Sequence, residues 1–372
     1  MTAFSNDSRD APLRDLDATG DPPPSILHLV PGHVDIRPGQ GSHKDVSARR
    51  AFFAATGLKY HCVNFDADVP LQFGSSLAGI RPTHILIEYS YYPEVAAALR
   101  ASYPDAFIAV RSHNIEPLQE WTLSDKDTLL KNLRNVYAFA RLVYGDVRVA
   151  RIVDHVFVIS PSEAGRYWRW LGIGGRVSWL PYIPPTELEP SKASGARDVI
   201  ACLPGGAQSR RTIDLVNRFS EFAQAAKNAG WKCRFVVSGD IGKWPVKLTP
   251  AVEAIGYVAD LPALYSRLAA VAVLSPIGYG FKTTVADAIW NGAAVLVHPA
   301  IGTDLPEELK PSCVMLGRPT AAALLAAEAA LRDISSKPAR PEALIRRFNE
   351  EMDRFLRGRR TGSASGRTRA PK

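Results

Sequence analysis

Short apolar blocks recur along the chain and alternate with stretches whose apolar positions follow a helical period. The first half predicts strands at Ile26–Val30, Tyr60–Phe65, His84–Glu88, Phe107–Arg111, His155–Ile159 and Arg176–Leu180. Between them lie helical patterns at Lys44–Thr56, Glu94–Ser102, a long one from Ser124 to Val153, and Ser162–Leu171. Pro181, Pro184, Pro185 and Pro190, mixed with Ser and Gly up to Arg197, interrupt both periods and mark a linker. The alternation then resumes, with strands at Val199–Leu203, Cys233–Ser238, Ala254–Tyr257, Val271–Leu274 and Ala294–Val297. Helical patterns at Thr212–Asn228, Leu261–Leu268, Lys282–Asn291, Thr320–Ile334 and Glu342–Leu356 accompany them. Strands separated by helices of this length predict parallel sheets covered by helices on both faces.

The chain has 372 residues, more than one ordinary core accommodates, so two α/β domains are expected. The reading divides it into a disordered segment 1–24, a first domain 25–182, a linker 183–197 and a second domain 198–339. A final helix 340–356 and a basic disordered tail 357–372 follow. The net charge of +8 is concentrated at the end, where Arg354, Arg357, Arg359, Arg360, Arg367, Arg369 and Lys372 stand without an acid. That tail is a candidate for touching an anionic membrane surface, and no nucleic-acid partner is expected. No secretory signal and no apolar run of spanning length is visible, which places the protein in the cytoplasm or at the inner face of its membrane. Cys62, Cys202, Cys233 and Cys313 are scattered and form no CxxC; buried free thiols are expected. Asp-x-Asp triplets occur at Asp15/Asp17, Asp66/Asp68 and Asp125/Asp127, too cheap a pattern to assign a metal.

Three segments carry candidate chemistry, each at a predicted strand end. Pro276 to Gly280 is a turn bearing Gly278, Tyr279 and Gly280, followed by Phe281, Lys282 and Thr283 at a helix start, with Asp287 further along. Backbone N–H groups, the helix dipole and the lysine together suit a phosphate or diphosphate. Leu203 to Arg211 repeats the plan, with Arg210 and Arg211 able to clamp a diphosphate. Arg111 to Glu116 places His113, able to exchange a proton near neutral pH, directly after a strand. The loop holding Gly39, Gly41 and His43 follows the first strand; its spacing does not match the dinucleotide-binding fingerprint.

Taken in order, these pieces resemble the GT-B retaining glycosyltransferases that include bacterial mannosyl- and glucosyltransferases (glycosyl transferases group 1). Arg111–Glu116 is similar to the family's R-x-H-N-x-E segment, and Gly256–Tyr265 to its G-x-v-x-D-l-x-x-l-Y run. Tyr279–Ala288 with Gly292 resembles E-G-F-G-x-x-x-x-E-A…G, although Tyr279 and Asp287 stand where the family has two glutamates. The resemblance implies two Rossmann-like domains facing a cleft, with the last helix crossing back to the first domain. It also implies hexosyl transfer from a nucleotide diphosphate sugar to a carbohydrate or lipid-linked acceptor, in glycan or polysaccharide biosynthesis, without a cofactor or required metal. His113 is then the catalytic candidate. Arg210, Arg211, Gly278–Thr283 and Asp287 would bind the donor, and Gly39, Gly41 and His43 would face the acceptor. A degenerate nucleotide-sugar-binding protein and a nucleotide-sugar epimerase of the same fold are the alternatives.

Overall fold

The computed structural model describes residues 23–36, 41–66, 77, 79–124, 128–184, 197–205, 208–276, 281–335 and 342–358. Gly39, Gly278, Tyr279 and Gly280 lie outside the described residues, as do Asp68, Asp125, Asp127, most of the linker and the basic tail. The first sheet contains β1 (Ser25–Pro31), β2 (Lys59–Phe65), β3 (His84–Glu88), β4 (Phe107–Ser112), β5 (His155–Val158) and β6 (Val177–Trp179). They run parallel in the order β2-β1-β3-β4-β5-β6. The second sheet contains β7 (Val199–Cys202), β8 (Arg234–Ser238), β9 (Val252–Gly256), β10 (Leu268–Val273), β11 (Ala294–Val297) and β12 (Cys313–Met315). Its order is β12-β11-β10-β7-β8-β9, again parallel. β1, β3, β7 and β11 are buried along their whole length, as strands covered on both faces must be.

The helices over the first sheet are α1 (Gly41–Ala55), α2 (Pro93–Ser102), α3 (Glu116–Leu123) and α4 (Leu129–Ile152). The long helix expected from Ser124 to Val153 is α4, which begins five residues later, while α3 before it was not expected. Thr128 sets the start, because its hydroxyl accepts from the Lys131 amide and caps α4. At 24 residues α4 is about 36 Å long, well beyond the reach of the four-residue β5. Only its last turns are buried, at Asp146, Val149 and Ala150, while Leu129 and Leu130 are 75% and 79% exposed. After β5 the chain tightens into a π-helical turn, Glu163–Trp168.

Over the second sheet lie α5 (Arg210–Asn228), α6 (Leu261–Arg267), α7 (Thr283–Trp290), the short α8 (Pro299–Gly302) and α9 (Ala321–Ser335). The last helix, α10 (Glu342–Arg357), returns to the first lobe. Its Phe348 meets Phe52 of α1, and Phe355 meets Phe53, His84 and Phe157. Leu344, Phe348, Met352 and Phe355 form its buried stripe, and each such side chain contributes about 1.5–3 kcal/mol on burial. The cysteines are all free; Cys202 is buried, Cys233 and Cys313 are half-buried, and Cys62 is exposed, contrary to the buried thiols expected there. β2 is an edge strand whose open face carries that thiol. Among the described residues no helix is long and apolar enough to cross a membrane.

Candidate active site between the lobes

In an open parallel sheet, ligands settle where strand order reverses. In the second sheet that point lies between β7 and β10. α5 starts there after β7 and α7 after β10. The two helix starts differ. Ser209 and Thr212 close α5 with a reciprocal capping box. α7 has Lys282 at its cap position with no side-chain cap, so its first amides remain open to an anion.

Arg211 and Lys282 come together at this place. Burial holds both below their ordinary pKa, and for Lys282 the neighbouring Arg211 adds to the effect, lowering it to about 7. Glu163 faces Lys282 from across the cleft. Among the described residues no carboxylate forms an ion pair with Arg211. Arg210, by contrast, is exposed.

Asp287, one turn into α7, is only 2% exposed. Tyr182 donates to Oδ1 at 2.7 Å, and Lys44 of α1 donates to Oδ2 at 2.6 Å. Burial nevertheless raises the Asp287 carboxyl, with the lysine and tyrosine opposing it. Both oxygens are therefore engaged, one of them by the opposite lobe. A side chain at Gly41 would place its Cβ 2.6 Å from Thr283 Oγ1, so the starts of α1 and α7 abut across the cleft.

The front wall is a buried ionic network. Arg49 Nε and Nη2 donate to Glu88 at 2.8 and 2.7 Å, and Arg49 pairs with Asp45 at 2.9 Å. Arg111 reaches Asp45 through Nε and Nη2, and donates to the carbonyls of Val158 and Leu180. His28 and His113 both bond Glu88, at 2.6 and 2.7 Å. His113 Nδ1 lies 3.3 Å from Asp45, and Tyr89 stacks on the ring at 4.2 Å. Tyr89 has φ 73°, a strained backbone for an aromatic residue. His113 is 6% exposed at its side chain, and burial lowers its pKa against the pull of Glu88. Any proton exchange at His113 must therefore operate from a ring with a carboxylate at each nitrogen. His43 lies in the first turn of α1, near Asp35.

Beside the clamp, a cavity of about 480 Å³ opens between the lobes. Ser160, Ser162, Glu163 and Tyr167 line its front; Phe281, Lys282 and Ile301 line its rear. Sequence reasoning missed Lys44, Asp45, Arg49, Glu88, Glu163 and Tyr182. Only the helical spacing of Asp45 and Arg49 offered a signal.

No protein-family model and no curated protein matches the sequence. Among solved structures the chain is similar to sucrose-phosphate synthase from Thermosynechococcus elongatus, with a TM-score of 0.56 and 16% identity over 90% of this chain and 94% of that one. It is also similar to HepE of Anabaena solved with UDP, with a TM-score of 0.54 and 14% identity over 88% and 99%. A third likeness is to UDP-GlcNAc 2-epimerase from Methanocaldococcus jannaschii, with a TM-score of 0.51 and 9% identity over 88% and 99%.

The fold is GT-B. In this GT-B molecule the carboxyl ends of both sheets face one cleft, and α10 ties the rear lobe's end to the front lobe. Arg211, Lys282, Thr283, Asp287, Gly41 and His113 all line or flank that cleft; Arg210 is exposed.

Proposed function

We propose that the protein transfers a hexosyl group from a nucleotide diphosphate sugar to a hydroxyl acceptor, with retention at the anomeric carbon. The supporting observation is the meeting of Arg211, Lys282 and the uncapped start of α7 at the switch point of the rear sheet. Two partly desolvated cationic groups, with Arg211 depressing the charge of Lys282, are stabilised by an anion, and a diphosphate has the size and charge to bridge them. Charge developing on the leaving diphosphate would meet fixed positive groups already in place, the arrangement that contributes most to such catalysis. The same cations take the part that a divalent ion would play, so added chelator should leave turnover unchanged. His113 would orient the front wall through Glu88 and Asp45.

HepE of Anabaena, similar in fold, is solved with UDP and with UDP-glucose, which makes uridine nucleotides the first donors to try. The test is turnover of a panel of uridine, guanosine and adenosine diphosphate sugars, read as free nucleoside diphosphate. Release that falls at least tenfold in Lys282→Ala and Arg211→Ala supports transfer. Isomerised nucleotide sugar without release would instead indicate the epimerase reading. A binding protein without turnover is the second reading, favoured by the engagement of both Asp287 oxygens with Lys44 and Tyr182. Affinity for a nucleotide sugar with no product of either kind would decide for it.

A further inference from the structure

The cavity beside the clamp has features that the nucleotide alone does not use. Its walls are largely apolar: Leu118, Phe139, Trp170, Phe281, Ile301 and Leu305 form most of them. Trp170 is 72% exposed and so stands at the mouth. A volume of about 480 Å³ is typical of a pocket for a small molecule and large for a single hexose ring.

Two carboxyl groups line the cavity: Asp304, partly exposed and 3.5 Å from Arg166, and Glu163, which is buried. Glu163 is 1% exposed, and neither of its oxygens reaches full hydrogen-bond geometry among the described residues, the Ser160 hydroxyl and the Ile159 backbone being its nearest polar neighbours. Ser160 and Ser162, its neighbours, are within bonding distance of each other at 3.1 Å. The π-helical turn that begins at Glu163 fixes the side chain's direction, and such turns recur where a helix serves a site. A buried carboxyl held so weakly is costly, and it persists where something else completes its bonds.

We infer that this cavity is the acceptor site, that it takes an uncharged hydroxyl-bearing compound with an aromatic or aliphatic body, and that Glu163 is the polar group holding the hydroxyl. The acceptor role rests on the transferase reading above. The geometry adds the class of compound. Lys282 in the rear wall places the cavity next to the diphosphate clamp, hence next to the carbon that leaves it. The same lysine in the wall disfavours a cationic acceptor, while Arg166 is offset by its Asp304 partner. Burial pushes the Glu163 carboxyl up to about 8, with Arg111 opposing, so it is largely protonated at neutral pH. A neutral carboxyl both donates and accepts, which is the complement of an alcohol.

The experiment uses octyl glucoside, below its micelle-forming concentration, with methyl glucoside as the probe lacking an apolar body. Binding of each to the full chain is measured by calorimetry, for wild type, Glu163→Gln, Glu163→Leu and Leu118→Trp. Octyl glucoside should bind wild type at least tenfold more tightly than methyl glucoside. Leu118→Trp fills the cavity and should abolish that preference. Glu163→Gln keeps a neutral donor and acceptor and should bind within about threefold of wild type. Glu163→Leu should lose tenfold while raising Tm, because an unsatisfied polar group has been removed. Equal binding of the two glucosides, or wild-type affinity in Glu163→Leu or Leu118→Trp, overturns the inference. Binding of UDP, GDP and ADP to the same proteins separates the two readings. If octyl glucoside binds as expected and no nucleoside diphosphate does, the donor reading fails and the acceptor role falls with it.

Discussion

Lys282 carries its charge with difficulty beside Arg211 in the cleft, and the consequence is measurable. Its pKa of about 7 means that the amine is charged below that pH and increasingly neutral above it. A bound diphosphate favours the charged form and raises the pKa. At about pH 8, where the phosphates are already ionised, binding of a nucleoside diphosphate should therefore take up close to one proton in the wild type and close to none without the Lys282 amine. Calorimetry in buffers of different ionisation enthalpy, applied to wild type and Lys282→Ala, reads the difference. Asp45 and Glu88 show the opposite logic. Burial alone would raise both carboxyls, but Arg111 and Arg49 beside Asp45, and Arg49 with His113 beside Glu88, hold them below the usual range. Their contribution to stability is complete above about pH 4, where exposed carboxylates ionise, and is lost as pH falls through the depressed values. Glu88→Gln leaves Arg49 buried without its bidentate partner. We expect a loss of about 3–5 kcal/mol near neutrality and a flatter acid limb, read by denaturant melts across pH. These residues were hard to find in the sequence for a physical reason. Asp45 and Arg49, one helical turn apart, read as a solvated face, because charge on a helix usually faces water. Here that face turns inward, since Glu88 and Arg111 at the ends of β3 and β4 supply counter-charge.

The elements were legible in proportion to their apolar length. β11 falls at Ala294–Val297, where the pattern put it, and β1 extends the expected strand by one residue at each end. β12, three residues long, was not expected, although the equally short β6 was, within Arg176–Leu180. α4 was expected from about Ser124, but its apolar spacing begins only at Leu129, where the Thr128 cap starts the helix. α10 was the most legible helix, its apolar stripe repeating every three or four residues from Leu344 to Leu356. That stripe closes the first lobe, so its loss should be felt there. Phe355→Ala removes a ring packed against Phe53, His84, Phe107 and Phe157. A cost of about 3–5 kcal/mol is expected, and a chain ending before Glu342 should expose the apolar patch and aggregate. Equilibrium unfolding and light scattering test the two statements.

At the scale of the molecule, contact between the lobes depends on residues far apart in sequence. Lys44 and Asp287 are 243 positions apart, and no local pattern could pair them. Their ion pair, with Gly41 against Thr283, holds α1 and α7 together across the cleft. Lys44→Ala should open the lobes, increasing the radius of gyration measured by X-ray scattering without nucleotide, and Lys44→Arg should restore most of the closure. The general form of the site was legible, namely glycine-bearing strand ends followed by basic helix starts. Which arginine faces inward was not, because Arg210 and Arg211 differ only by the rotation of one helical residue. The central claim is that Arg211 and Lys282 hold a nucleoside diphosphate at the start of α7. Its most direct test is calorimetric titration of UDP, GDP and ADP into the wild type, Arg211→Ala and Lys282→Ala. The account predicts that at least one nucleotide binds and that each substitution weakens it tenfold or more, with Arg210→Ala within about twofold of wild type. Absence of binding by all three nucleotides, or equal affinity in the Arg211 and Lys282 variants, would contradict it.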